Sequence, residues 1–396
     1  MSKFDFDLPI DRSSAPHDDS MKWGRYLGRH ANGNAILPMW VADMDFAAPT
    51  PVLAALNDRL GHGVFGYPRV TPQVRDAVLL HLARDLHWQV DPDWLVWLPG
   101  LVTGLNVACR AVGEIGDGVV TAVPIYPPFM SAPRLSDRQL HTVPLTLQDD
   151  RPVWDLAALE ALADSPAGQR IRLLMLCNPH NPIGRVWQED ELRALAGIAE
   201  RHGWVICSDD IHCELVLDKT LRYTPLARLD PDIARRTMTL LAPSKTYNIP
   251  GLGAAFAVIP DAALRGRFER AMAGIVPHIN VLGYTAMAAA YREGVPWRNA
   301  LLDYLRVNRD LLVAGLGKCP ALRVSSPEAT YLAWIDARGL NLPDGQTAAR
   351  FFESEGVGLS PGEDYMPGAR DHVRLNFGCT RQTLEEAIYR MAKACG

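Results

Sequence analysis

The stretch "LAPSKTYNIPGLGAAF" spans residues 241–256, and the role of its single lysine decides how the rest of the chain is read. Lys245 followed by Thr246 has the outward form of the end of a phosphate-binding P-loop. Such a loop needs glycines ahead of the lysine, so that successive backbone N–H groups can cradle phosphates. Here "TLLAP" comes before Ser244 and Lys245, and the glycines come afterwards. The P-loop reading is therefore set aside, and Lys245 becomes the polar end of an apolar run, "TMTLLAPSK" (237–245), that reads as a strand.

Similar runs lie upstream. "DWLVWLPG" (93–100) leads into the helical "LNVACRAV", "GVVTAVPIY" covers 118–126, "RLLMLCNP" (172–179) precedes the helix "EDELRALAGIAERHG", and "WVICSDD" covers 204–210. Continuous apolar strands alternating with helices indicate a mostly parallel sheet covered on both faces, an α/β domain. After about residue 290 the pattern changes to a long amphipathic helix, "NALLDYLRVNRDLLVAGLG", and to "ATYLAWIDA" and "HVRLNFG", which alternate as half-exposed strands do. The expected division is an N-terminal arm (1–50) packing with the small domain, a large domain (51–290), and a smaller α+β C-terminal domain (291–396).

A chain of 396 residues suits two lobes. A net charge of −5 without a Lys/Arg block argues against nucleic acid as a partner. No run of eighteen apolar residues and no signal-peptide core is found, so the expectation is a cytoplasmic protein with no membrane partner. Seven scattered cysteines without C-x-x-C spacing suggest neither a disulfide framework nor a zinc site. Asp43 and Asp45 in "ADMDF" form a D-x-D pair, too few oxygen ligands for a hard cation, and no metal is expected.

In parallel sheets ligands sit beyond the carboxyl ends of the strands. The polar residues there are Gly100 and Thr103, Tyr126, Asn178 and Asn181, Asp209 and His212, and Ser244 with Lys245. Pyridoxal phosphate has a use for each kind. A lysine amine forms an imine with its aldehyde, a carboxylate keeps the ring nitrogen protonated, and the protonated ring is an electron sink. An asparagine amide can donate to the ring oxygen, an aromatic can stack on the ring, and N–H groups at a helix start can hold the phosphate.

"NPHNPIG" (178–184), "SDDIH" (208–212) and "PSKTYNIPGL" (243–252), in this order, resemble the fold-type I, aspartate aminotransferase-like enzymes of the class I/II aminotransferase superfamily. "PMWVADMDF" (38–46), "FGYPRVTP" (65–72), "YPPF" (126–129) and "VRLNFGCTR" (373–381) are more narrowly similar to its MalY/PatB-type cystathionine β-lyase, or C–S lyase, branch. The resemblance implies that Lys245 forms the imine and that Asp209 partners the ring nitrogen. It places Asn181 on the ring oxygen with His212 nearby, Tyr126 stacked on the ring, and Val102, Thr103 and Ser244 on the phosphate. It sends Tyr67 to the phosphate of a second subunit, gives Arg374 the substrate α-carboxylate, and makes Trp40 and Ala42 the substrate lip. Lys245, Asp209 and Tyr126 form the implied catalytic set, and a homodimer the implied assembly.

Two positions depart from the family pattern. Gly253 stands where many aminotransferases bind phosphate with arginine, and Asp210 where glutamate is common. The first suits the lyase branch. The implied reaction is β-elimination from a cysteine S-conjugate such as cystathionine, giving a thiol, pyruvate and ammonia. An amino-acid aminotransferase is the alternative, and a regulatory protein that retains the fold is a third reading.

Overall fold

The structure, a computed structural model, describes residues 4–396. In chain order the arm contributes β1 (Leu37–Pro38). The large sheet takes β2 (Leu95–Leu98), β3 (Gly118–Val123), β4 (Gln139–Gln148), β5 (Arg151–Trp154), β6 (Ile171–Cys177), β7 (Val205–Asp209), β8 (Thr237–Leu241) and β9 (Ala255–Val258). The C-terminal part adds β10 (Arg323–Val324), β11 (Leu332–Asp336), β12 (Val357–Gly358), β13 (Ser360–Pro361) and β14 (His372–Asn376).

The large sheet runs in the order β2-β9-β8-β7-β6-β3-β4-β5. From β8 to β4 every pairing is parallel. β9 is antiparallel to both β8 and β2, and β5 is antiparallel to β4. Every residue of β3 and β8 is buried, which is why these strands read as unbroken apolar runs. The helix Leu101–Ala111 approaches the sheet closely because residue 104 is glycine, where a Cβ would lie 2.9 Å from a Leu240 methyl and 3.1 Å from one of Leu98. That approach fixes the start of the helix beside the ends of β7 and β8.

The second sheet runs β10-β11-β14-β13, all antiparallel. β12 instead pairs in parallel with β1, tying the arm to this part of the chain. The half-exposed character expected of "ATYLAWIDA" and "HVRLNFG" is corrected here. Arg374 is 3% exposed and Asn376 fully buried, so the polar positions of β14 face protein rather than water. Val373 and Leu375, which alternate with them, join one core with Leu312 and Leu316 of the helix Val295–Leu316 and with Leu384 and Ala387 of the helix Arg381–Ala394.

A buried charge network ties the helix Pro72–Asp85, Glu214 and Tyr247 to the helix Val295–Leu316. Arg298 donates to Glu214 and, at 3.1 Å, to Asp85; Tyr247 donates to Glu214 at 3.1 Å; the His81 ring pairs with Asp85 at 3.0 Å. His81, Asp85 and Glu214 lie close enough together to suggest a metal cluster. Both carboxylates, however, already face the Arg298 guanidinium, which supplies the cation. Removing one partner of such a pair strands the other charge in the interior, at about 3–5 kcal/mol. Arg298→Ala is expected to cost about 3 kcal/mol in urea unfolding of the holoprotein; a loss below about 1 kcal/mol, the range of exposed pairs, would contradict the network's role.

Candidate active site

The carboxyl ends of the strands meet at one crevice. β2 ends before Gly100, whose extended backbone caps the helix Leu101–Ala111 without any side chain on the helix's first N–H groups. Val102 is exposed in that first turn and Thr103 half-buried. A helix start with uncapped N–H groups is an anion site by both hydrogen bonding and dipole, but one is common enough that its neighbours must decide its use. Gly253 lies directly against this turn at φ +54°, and a Cβ there would stand 3.2 Å from the Pro99 carbonyl oxygen. The position where the family pattern often has arginine therefore borders this helix start.

Asp209 is the last residue of β7, paired with Cys177 on one side and Leu240 on the other. It is 3% exposed and its Oδ1 accepts a single backbone N–H, from Ile211 at 3.2 Å. Burial pushes its carboxyl up to about 7, with the Ile211 N–H and Lys245 opposing the shift. A carboxyl in that state takes up a cationic partner readily, because the partner relieves the cost of the buried charge.

Lys245 follows β8 by four residues and is half-buried. Its Nζ donates to the Ala42 carbonyl at 2.6 Å. Burial brings the amine down to about 8 against the pull of Asp43 and Asp209, while Arg374 assists the lowering. A substantial fraction is thus neutral, and nucleophilic, near physiological pH. His212 is 2% exposed, lies edge-on to Tyr331, and is held neutral, at about 3, by burial and by the Lys245 and Arg374 charges. Asn181, 4% exposed, accepts from Arg374 Nη1 at 3.1 Å. Tyr126, just past β3, is half-buried, with Asp209 and Arg374 near enough to act on its phenol. Ser244 is half-buried beside Lys245.

Arg374 Nη2 donates to the Trp40 carbonyl at 2.7 Å, and its guanidinium lies 4.9 Å from the Tyr365 ring centre. Its Nε is buried without a partner among the described residues. Tyr67 is the predicted residue that is not brought in. At 101% exposure it stands clear of its own chain's crevice.

Four residues outside the predicted set hold segment 40–46 in place. Asn248 donates to the Met44 and Phe46 carbonyls at 2.8 and 2.7 Å and accepts the Met44 N–H at 2.9 Å. Asn376 donates to Val41 and Asp43 carbonyls, each at 2.6 Å. Tyr331 donates to Ala42 at 3.0 Å and Ser360 to Trp40 at 2.8 Å. Segment 40–46 is thereby fastened between the lysine loop and the second sheet. Period two along β14 puts Asn376 on the same face as Arg374, and that spacing was the available signal. Asn248, a non-glycine at φ +54°, gave no comparable sign.

The chain belongs to the aminotransferase class I and II family, whose model matches residues 36–391. Within it, the chain is 37% identical over 377 residues to cystathionine beta-lyase PatB of Bacillus subtilis (strain 168), covering 95% of this chain and 96% of that protein. Among solved structures it resembles OvoB with 45% identity and a TM-score of 0.91, covering 99% of each chain. It also resembles the PLP-bound C-S lyase of Staphylococcus hominis, with 28% identity, a TM-score of 0.90 and 99% of each chain covered.

The residues present fit pyridoxal phosphate. The uncapped helix start suits its phosphate, the buried Asp209 carboxyl its ring nitrogen, and the Lys245 amine its aldehyde. The free Arg374 Nε suits an amino-acid carboxylate.

Proposed function

We propose that this chain catalyses pyridoxal phosphate-dependent β-elimination from cysteine S-conjugates such as L-cystathionine, releasing the thiol, pyruvate and ammonia. Bound here, pyridoxal phosphate would supply an aldehyde for the substrate amino group and a ring able to accept the electron pair left when the Cα–H bond breaks. The helix start at Val102 and Thr103, with Ser244, would hold the phosphate. Asp209 would hold positive charge at the ring nitrogen, Asn181 and His212 would serve the ring oxygen, and Tyr126 would stack on the ring.

Arg374 orients the substrate by its α-carboxylate, and Trp40 and Ala42 form the wall of the lip. Lys245 Nζ takes the Cα proton as general base. The bond from Cβ to sulfur then breaks with its electron pair leaving on sulfur, and hydrolysis of the remaining fragment yields pyruvate and ammonia. The observation that carries this reading is the buried Asp209 carboxyl set beside a lysine brought down to about 8 at neighbouring strand ends. The lyase outcome, rather than amino transfer, is supported by glycine at 253 and by the relatives named cystathionine β-lyase and C–S lyase.

The test is to incubate holoenzyme with L-cystathionine and no keto acid. Pyruvate and ammonia at catalytic turnover are expected; product only after a keto acid is added would move the assignment to an aminotransferase, which the family model leaves open.

The same proposal includes a cytoplasmic homodimer. Among the described residues no helix is long and apolar enough to cross a membrane. Val64, Phe65 and Tyr67 form an exposed apolar stretch after the helix Thr50–His62, itself exposing Leu53 and Leu60. Such a surface suits a second copy of the chain, whose phosphate Tyr67 would reach. Light scattering is expected to give twice the chain mass, and a monomer with full activity would remove Tyr67 from the site.

A further inference from the structure

Arg25 closes the short helix Met21–Gly24, and its guanidinium carbon lies 4.6 Å from the ring centre of Trp40 and 5.6 Å from that of Tyr26. Trp40 is the residue whose carbonyl accepts from Arg374. On the other side of Arg374 is Tyr365, whose carbonyl accepts the N–H of Ile125, next to Tyr126. Asp364 precedes Tyr365 in the tight turn Gly362–Asp364, and Arg25 and Arg374 both act on its carboxyl as cations. The turn is rigidly seated, since a Cβ at Gly362 would stand 2.3 Å from the Ala369 carbonyl oxygen. Among the described residues neither the Arg25 nor the Asp364 side chain has a hydrogen-bonded ion-pair partner, although the other described Lys and Arg side chains of the arm do: Arg12 with Asp43 and Asp45, Lys22 with Asp45, Arg29 with Glu353. Both side chains are exposed, yet Arg25 is stacked on the Trp40 ring, with the unpaired Asp364 carboxylate near enough to feel its charge.

We propose that Arg25 and Asp364 determine specificity by binding the far end of the sulfur substituent, Arg25 taking a carboxylate and Asp364 an ammonium. The favoured substrates are then conjugates whose thiol portion itself ends in an α-amino-acid group. This inference rests on the β-elimination reading. Stacking on Trp40 limits the freedom of the Arg25 side chain, so less entropy is lost when it grips a carboxylate, and its planar fork matches one bidentately.

The experiment compares kcat/KM of wild-type and Arg25→Gln holoenzymes on L-cystathionine and on S-ethyl-L-cysteine, which presents the same bond to be broken but an uncharged substituent. Arg25→Gln is expected to lower kcat/KM for cystathionine about tenfold, chiefly through KM, while S-ethyl-L-cysteine changes less than about twofold. Asp364→Asn is expected to shift the same ratio in the same direction by a smaller factor. Equal losses on both substrates, or none on either, would overturn the inference and leave the lyase reading standing. A wild-type enzyme that eliminates from neither substrate would remove the lyase reading and this inference with it.

Discussion

Lys245→Ala is expected to lower turnover of L-cystathionine by about 10⁴-fold or more, since in the proposed mechanism Lys245 is both the proton-transfer group and the amine that receives the cofactor, and general acid–base catalysis alone is worth about 10²–10⁴. The substitution should leave the fold intact. The Nζ hydrogen bond it deletes goes to the Ala42 carbonyl, which still accepts from Tyr331. Circular dichroism and the unfolding midpoint are therefore expected to match wild type, while the absorbance of cofactor joined to the lysine disappears. The environment of the amine adds a pH signature. Burial brings Lys245 from 10.5 to about 8, and only the neutral amine is nucleophilic. The rate at which cofactor-free protein takes up pyridoxal phosphate covalently should rise with pH and level off above about 8. A midpoint near that of an ordinary exposed lysine, about 10.4, would refute the burial argument. Retention of even a hundredth of wild-type turnover by Lys245→Ala would mean that another group removes the Cα proton.

The sequence exposed the centre of this site because parallel strands buried on both faces leave a distinctive pattern: every residue of β3 and β8 is interior, only threonines interrupt their apolar runs, and each run stops shortly before a polar side chain, Tyr126 or Lys245. β9 escaped notice because "AFAV" is only four residues long and follows directly on the glycines after Lys245. The alternation in β14 predicts one face in water. Two polar positions of that face are buried instead, Arg374 as a ligand-binding candidate and Asn376 as a clamp on Val41 and Asp43. Alternation reports two different faces, and it does not say that the polar one is wet.

The charges of the arm were opaque for a related reason. Lys22 is fully buried and paired with Asp45 at 2.7 Å, Arg12 pairs with Asp43 at 2.6 Å, and Trp23 donates to Asp45 at 3.0 Å. None of these partners is close in sequence, so nothing local in "ADMDF" separates an internal ion-pair cluster from a metal-binding or substrate-binding motif. In segment 40–46 the carboxylates are thus neutralised by Arg12 and Lys22, and the carbonyls are held by Asn248, Asn376, Tyr331 and Ser360. Asp43 nevertheless remains near enough to Lys245 to favour its charged form.

Asp209→Asn is expected to have the second largest effect, about 10²–10³-fold in kcat together with weaker cofactor retention on dialysis, the range that corresponds to losing a buried charge interaction of about 3–4 kcal/mol. The asparagine keeps the size of the side chain and can keep the Ile211 N–H bond, so a packing defect would not explain the loss. What it cannot do is carry the proton. At neutral pH burial leaves the Asp209 carboxyl close to half-protonated, at about 7, so the group can pass a proton to a base set against it and remain as the counter-ion. Asp210, next in the chain and also pushed up to about 7 by burial, cannot substitute, because its carboxylate is already engaged by the Ser208 and Tyr223 hydroxyls. Asp209→Glu separates charge from position: it restores the ionisable group but lengthens the side chain at the end of a strand paired on both sides. Recovery of most of the activity in Asp209→Glu but not in Asp209→Asn would assign the effect to charge. Full activity in Asp209→Asn would show that the reaction does not depend on a protonated ring, and the role of Asp209 as its partner would fall.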